Sequence, residues 1–148
     1  MTRARLCLLL LCFGLLAAPL AAAELRLATW HVDLSRDGPG LLLRDLAAGK
    51  LGTVVAEIAA AKPDVLLLTD IDYDAGLAAL GALAALLRED GLDLTHLFAL
   101  RPNAGMATGR DLDGDGRLGG PRDAEGYGEF SGQGGMALLS RLPLGEVR

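Results

Sequence analysis

Apolar and polar side chains alternate over residues 25–30, the pattern of a strand with one buried face. Residues 31–50 predict mainly a connection. They hold a strong turn signal, Ser35-Arg36-Asp37-Gly38-Pro39-Gly40, followed by a short apolar run at 41–46. Leu51, Val54, Val55, Ile58 and Ala59 then recur at helical spacing, which predicts a helix with one buried stripe, closed by Pro63. Val65-Leu66-Leu67-Leu68 is a short continuous apolar run, as expected of a strand covered on both faces. Leu77, Leu80, Leu83, Leu86 and Leu87 predict a second helix, with Gly91 as its C-terminal stop. Residues 94–100 predict a third strand with His96 inside it, and residues 136–140 a fourth, stopped by Pro143.

A strand, a helix and a strand in succession imply a right-handed crossover between parallel strands. On that reading both strands end on one edge of the sheet. His31 would follow the end of the first, and Asp70 and Asp72 the end of the second. Ligands of open α/β sheets bind at that carboxyl edge. Spacing alone therefore places an imidazole near carboxylates. Asp72 and Asp74 also stand where they would cap the following helix.

Residues 1–23 change the picture of the whole chain. Arg3 and Arg5 precede an apolar run, and Ala21-Ala22-Ala23 offers a small-residue cleavage site, the order of a secretory signal. Cleavage is predicted after Ala23, giving a secreted or periplasmic protein and a domain over residues 24–148. The run is short for a membrane span, and no later stretch approaches about 18 apolar residues. Both cysteines, Cys7 and Cys12, lie in this leader, so the exported part would need no disulfide. The formal net charge is −5 and becomes more acidic once Arg3 and Arg5 are removed. A dedicated nucleic-acid binder needs a basic face, which such a balance argues against. An enzyme that holds a phosphate through a metal ion remains compatible with it. Oligomeric state is left open.

The segment between the third and fourth strands carries the most distinctive chemistry. Asp111-Leu112-Asp113-Gly114-Asp115-Gly116-Arg117 alternates carboxylates with small or turn-forming residues, a spacing that suits a hard cation, Ca²⁺ first and Mg²⁺ second. Asp111, Asp113 and Asp115 match positions 1, 3 and 5 of a twelve-residue calcium loop. Arg122 stands where the closing bidentate glutamate belongs, with Asp123 one residue late and Glu125 beyond it. The loop is thus a candidate for structural Ca²⁺ of a looser kind, or an acidic surface loop whose turns need Asp and Gly. Arg101, Asn103 and Gln133 flank it. Arg101 and Asn103 are candidate substrate-binding residues, and all three are also placed to hold the loop's ends.

Three stretches together resemble the endonuclease/exonuclease/phosphatase superfamily. Leu27-Ala28-Thr29-Trp30-His31 is similar to its "ATWN" opening, residues 62–70 to its "PDVLLLQE" strand, and residues 135–144 to its "G-x-A-I-L-S-R-x-P-I" strand. The acidic loop resembles that of a secreted bacterial branch. The resemblance implies an α/β fold, part of a four-layer αββα sandwich of the deoxyribonuclease-I type, with the C-terminal half missing. It also implies hydrolysis of a phosphoester with Mg²⁺ or Mn²⁺. Asp70 takes the place of the family's metal-binding Glu, and His31 that of its Asn, where it would contact phosphate. The first expectation is an exported phosphoester hydrolase of nuclease or phosphatase type, or an incomplete fragment of one, weak or inactive alone. The alternative, from a different class, is a non-catalytic exported calcium-binding module.

Overall fold

The computed structural model describes residues 24–146. The leader and its two cysteines lie outside the described residues. The chain forms β1 (Leu27–Leu34), α1 (Leu41–Ala47), α2 (Gly52–Ala61), β2 (Val65–Ile71), α3 (Ala78–Glu89), β3 (His96–Ala99) and β4 (Gly135–Ser140), with one 3₁₀ turn at Pro121–Asp123. The expected α/β class holds. The four strands make a single mixed sheet in the order β1-β2-β4-β3. β1 and β2 are parallel, as the strand–helix–strand order requires, and β4 runs antiparallel to both β2 and β3.

One face of the sheet is packed. Leu66 and Leu68 of β2, Val32 and Leu34 of β1, and Ala137 and Leu139 of β4 meet Leu42, Ile58, Leu83 and Leu87 from the three helices. The other face carries Leu27, Leu67 and Met136 exposed to solvent. The described residues thus supply one helical layer and one sheet of the four layers that the resemblance implies. The expectation that residues 65–68 are covered on both faces is therefore corrected. Leu66 and Leu68 are buried, whereas Leu67 is 37% exposed.

Three boundaries differ from the sequence reading. β1 runs on to Leu34, because Val32 and Leu34 continue the alternation and both enter the core. His31 therefore lies inside the strand and does not follow it. β2 likewise extends through Asp70 to Ile71. The apolar run after the turn is a helix, α1, in which Leu42 and Leu46 share one face across a single turn. Its Asp45, 8% exposed, accepts from Arg36 Nε at 3.1 Å, Arg44 Nη2 at 2.9 Å and Lys50 Nζ at 3.1 Å. These cations, Arg44 first, hold its pKa down to about 2 and tie α1 to the segment that leaves β1.

Candidate metal-binding site at the carboxyl edge of the parallel strands

Both ladders of β2 slip at one place. Against β1 the register passes from His31↔Thr69 to Leu34↔Ile71, and against β4 from Thr69↔Met136 to Ile71↔Gly135. Asp70 is the residue left over against β4, and its φ is +61°. Strict alternation after Leu68 would aim position 70 at the core. The left-handed turn at Asp70 instead releases it and sends Ile71 inward, 2% exposed. Asp33 on β1 stands beside it with φ +52°. Positive φ at a non-glycine residue is costly, and such residues collect at functional sites.

The bulge brings Asp70 to His31. Asp70 Oδ2 lies 3.8 Å from His31 Nε2, with the carboxylate side chain 25% exposed and the imidazole 75% exposed. His31 Nδ1 lies 3.2 Å from Thr69 Oγ1. The two residues that spacing placed at one edge are therefore neighbours. The donor set suits Mg²⁺ or Mn²⁺, because a single accessible carboxylate that leaves the other positions to water and substrate oxygens is the usual way such an ion is held.

Asp72 and Asp74 divide the roles expected of them. Asp74 caps α3, accepting from the amides of Ala78 at 2.7 Å and Ala79 at 2.9 Å. Asp72 does not cap. It accepts from Arg36 N at 3.0 Å and Gly134 N at 3.3 Å, joining the end of β1 to the start of β4. Burial pushes its carboxyl above the usual carboxylate range, against the pull of those two amides. Gln133 adds a second tie by donating to the Arg36 carbonyl at 2.9 Å. The sequence placed Asp72 at this edge and Gln133 at the end of the loop, but not the hydrogen bonds through Arg36 and Gly134 that join them. The signal for that link was the run Gly132-Gln133-Gly134-Gly135, where a polar side chain sits among glycines.

Arg101 is exposed and lines a cleft of about 300 Å³ beside Asp72, Tyr73 and Phe130. Asn103 sits at the neck of the acidic loop, where its carbonyl accepts from Met106 N and Gly126 N. Among the described residues, no hydrogen bond or ion pair joins Arg101 or Asn103 to His31 or Asp70.

Asp111, Asp113 and Asp115 form a cluster of their own. Each offers a carboxylate oxygen, and these oxygens lie within 4.8 Å of one another. The same carboxylates shape the turn. Asp111 accepts from Gly114 N at 2.7 Å and Gly116 N at 2.9 Å, and Asp115 from Arg117 N at 2.8 Å. Asp123 is 3% exposed and accepts from Leu112 N at 2.8 Å and Gly120 N at 3.1 Å. The amide of Leu112 leads in holding its pKa below the usual range. It braces the loop from beneath, in the place where a closing ligand was sought.

The family model described as "Endonuclease/Exonuclease/phosphatase family" matches residues 34–148. The chain belongs to this family. The match includes Asp70 and begins three residues after His31. Membership of this family points to a phosphoester hydrolase of nuclease or phosphatase type. Among solved structures, the chain is similar to the crystal structure of an endonuclease/exonuclease/phosphatase from Beutenbergia cavernae DSM 12333. The identity is 24%, the TM-score 0.41, and the match covers 82% of this chain and 27% of that one. The chain thus spans about a quarter of the length of that family member. No curated protein matches it.

Proposed function

We propose that this chain carries the Asp70 side of the active site of an exported, divalent-metal-dependent phosphoester hydrolase of nuclease or phosphatase type. The observation that carries the reading is the 3.8 Å approach of His31 to Asp70 across the bulged, parallel β1–β2 edge. Asp70 would hold Mg²⁺ or Mn²⁺. When bound, such an ion supplies Lewis-acid polarisation of a phosphoryl oxygen and charge opposite the leaving oxygen. Asp is one methylene shorter than the family's Glu, which draws the ion toward the backbone or interposes water. His31 would contact phosphate. In the tautomer whose Nδ1 accepts from the Thr69 hydroxyl, Nε2, the nitrogen beside Asp70, carries a proton that it can donate to a phosphate oxygen. Arg101, exposed at the cleft, adds a guanidinium fork suited to a second phosphate oxygen. Export rests on residues 1–23.

The test is hydrolysis of a generic phosphodiester or phosphomonoester by the chain lacking residues 1–23, with Mg²⁺ or Mn²⁺. The expected result is slow, metal-dependent turnover that is lost in Asp70→Ala. Turnover that needs no metal, or that survives Asp70→Ala, overturns the reading.

The acidic loop favours a second reading, a calcium-binding module, because three carboxylates already converge there. Calorimetry with Ca²⁺ is expected to show a dissociation constant of about 10⁻⁶ M or tighter, within the span of known calcium loops. The heat should vanish in the Asp113→Ala/Asp115→Ala double variant. No heat and no shift in melting temperature in the parent chain removes calcium from the loop.

A further inference from the structure

Asp70 occupies a conformation that its own strand does not favour, so something outside the strand must hold it. The segment 132–135 is the element in contact. Gly132 accepts from Tyr73 N at 2.7 Å, and a Cβ on Gly132 would fall 2.5 Å from the Tyr73 carbonyl oxygen. A Cβ on Gly134, whose φ is +60°, would lie 3.3 Å from Asp70 Oδ1 and 3.8 Å from Ser35 Oγ. A Cβ on Gly135 would meet the Ile71 carbonyl oxygen at 3.3 Å. Gly132 therefore lets backbone close on Tyr73 where a side chain would push it off, and Gly134 and Gly135 keep the contacts beside Asp70 and Ile71 close.

Gln133 fixes this clasp in space. Its Nε2 donates to the Arg36 carbonyl at 2.9 Å, and its Oε1 accepts from Glu129 N at 2.7 Å. Arg36 N donates in turn to Asp72 Oδ2, and Gly134 N to Asp72 Oδ1. The result is a closed circuit, Gln133 to Arg36 to Asp72 to Gly134, that runs behind Asp70 and joins β1, β2 and β4. Among the described residues no hydrogen bond joins Gln133 to Asp70 or His31, and its side chain bonds only backbone, at Arg36 and Glu129.

We infer that Gln133 is a positioning residue: with Asp72 it locks segment 132–135 against residues 35–36 and so fixes the direction of the Asp70 carboxylate beside His31. As a positioner of a metal ligand, the role rests on the function proposed above. Groups behind a ligand orient it, and their loss commonly weakens metal affinity by about 10–100-fold.

The test separates the clasp from the metal. The chain is labelled with ¹⁵N, and the amide order parameter of Asp70 is measured without metal, in the parent and in Gln133→Met and Gln133→Glu. Far-ultraviolet circular dichroism confirms that each variant is folded. The expected result is about 0.85 at Asp70 in the parent and below about 0.6 in both variants. Mn²⁺ is then titrated while the imidazole protons of His31 and His96 are followed. These are the two histidines of the chain. His96 pairs with Ser140, itself opposite Val65 at the far end of β2, and serves as the internal reference. Selective broadening of His31 in the parent, with the half-point moved about tenfold higher in Gln133→Met, supports the inference. An Asp70 amide equally ordered in the parent and both variants overturns it, as does an unmoved half-point in a folded Gln133→Met chain. If Mn²⁺ leaves His31 untouched in the parent while Asp70 still loosens in the variants, the metal reading falls and the clasp stands.

Discussion

Truncating Leu68 to alanine is expected to cost about 2–5 kcal/mol of folding stability, the range for large-to-small changes in a closed core. Leu68 is fully buried on β2 and pairs with Trp30 of β1 and Ala137 of β4. It is therefore walled by sheet on both sides and by helices above, and little can collapse into the space it leaves. Domains have only about 5–15 kcal/mol to lose. The neighbouring Leu67, 37% exposed on the open face of the sheet, provides the contrast. Leu67→Ala is expected to cost no more than about 1 kcal/mol, because much of that side chain is already in water. Urea denaturation of the two variants checks this. Equal shifts of the midpoint would mean that both faces of β2 are covered in solution.

An alanine at position 105 is expected to unlatch the acidic loop. A Cβ there would sit 1.9 Å from the Phe130 carbonyl oxygen and 2.7 Å from Ser131 N, and Gly105 has φ +69°. No rotamer change relieves a clash with backbone, so the neck of the loop must part. The bonds at stake are Gly105 N to the Gly126 carbonyl at 2.9 Å and Glu125 N to the Met106 carbonyl at 2.8 Å. Amide exchange at Gly105 and Glu125 is expected to accelerate at least about 100-fold, reflecting loss of local opening free energy of about 3 kcal/mol or more. Gly109 is the control. Its φ is also +69°, but nothing lies within 4 Å of its Cβ position, so Gly109→Ala brings only backbone strain of about 1 kcal/mol. Similar exchange in the two variants would show that close packing at Gly105 is not what shuts the neck.

The arrangement of elements was legible because most are written in a single period. Val55, Ile58 and Ala59 mark α2, and Leu80, Leu83 and Leu87 mark α3, each on one buried stripe. The parallel pairing of β1 and β2 followed from the strand–helix–strand order, and with it the meeting of His31 and Asp70. α1 escaped because its seven residues bury only Leu42, Asp45 and Leu46, too few repeats to declare a period. The ends of β1 and β2 escaped for another reason. A left-handed turn at Asp70 shifts the alternation of β2, and in β1 Val32 and Leu34 continue it past His31 through a left-handed Asp33 that the sequence pattern does not mark. Asp72 and Asp74 looked equivalent as helix caps. Only the fold shows that Asp74 reaches the amides of α3 while Asp72 turns toward Arg36 and Gly134. The spacing of Asp111, Asp113 and Asp115 did announce a cluster, but not that Asp123 would be drawn beneath it.

The coincident slip in both ladders of β2 has a consequence for how this site can change over time. Position 70 belongs to neither the core nor the regular pleat, and Leu68 and Ile71 keep their places whatever stands between them. A longer or shorter acid there extends into solvent without altering the volume that the helices must fill. Selection can therefore act on the reach and charge of that one side chain while the packed core keeps its shape.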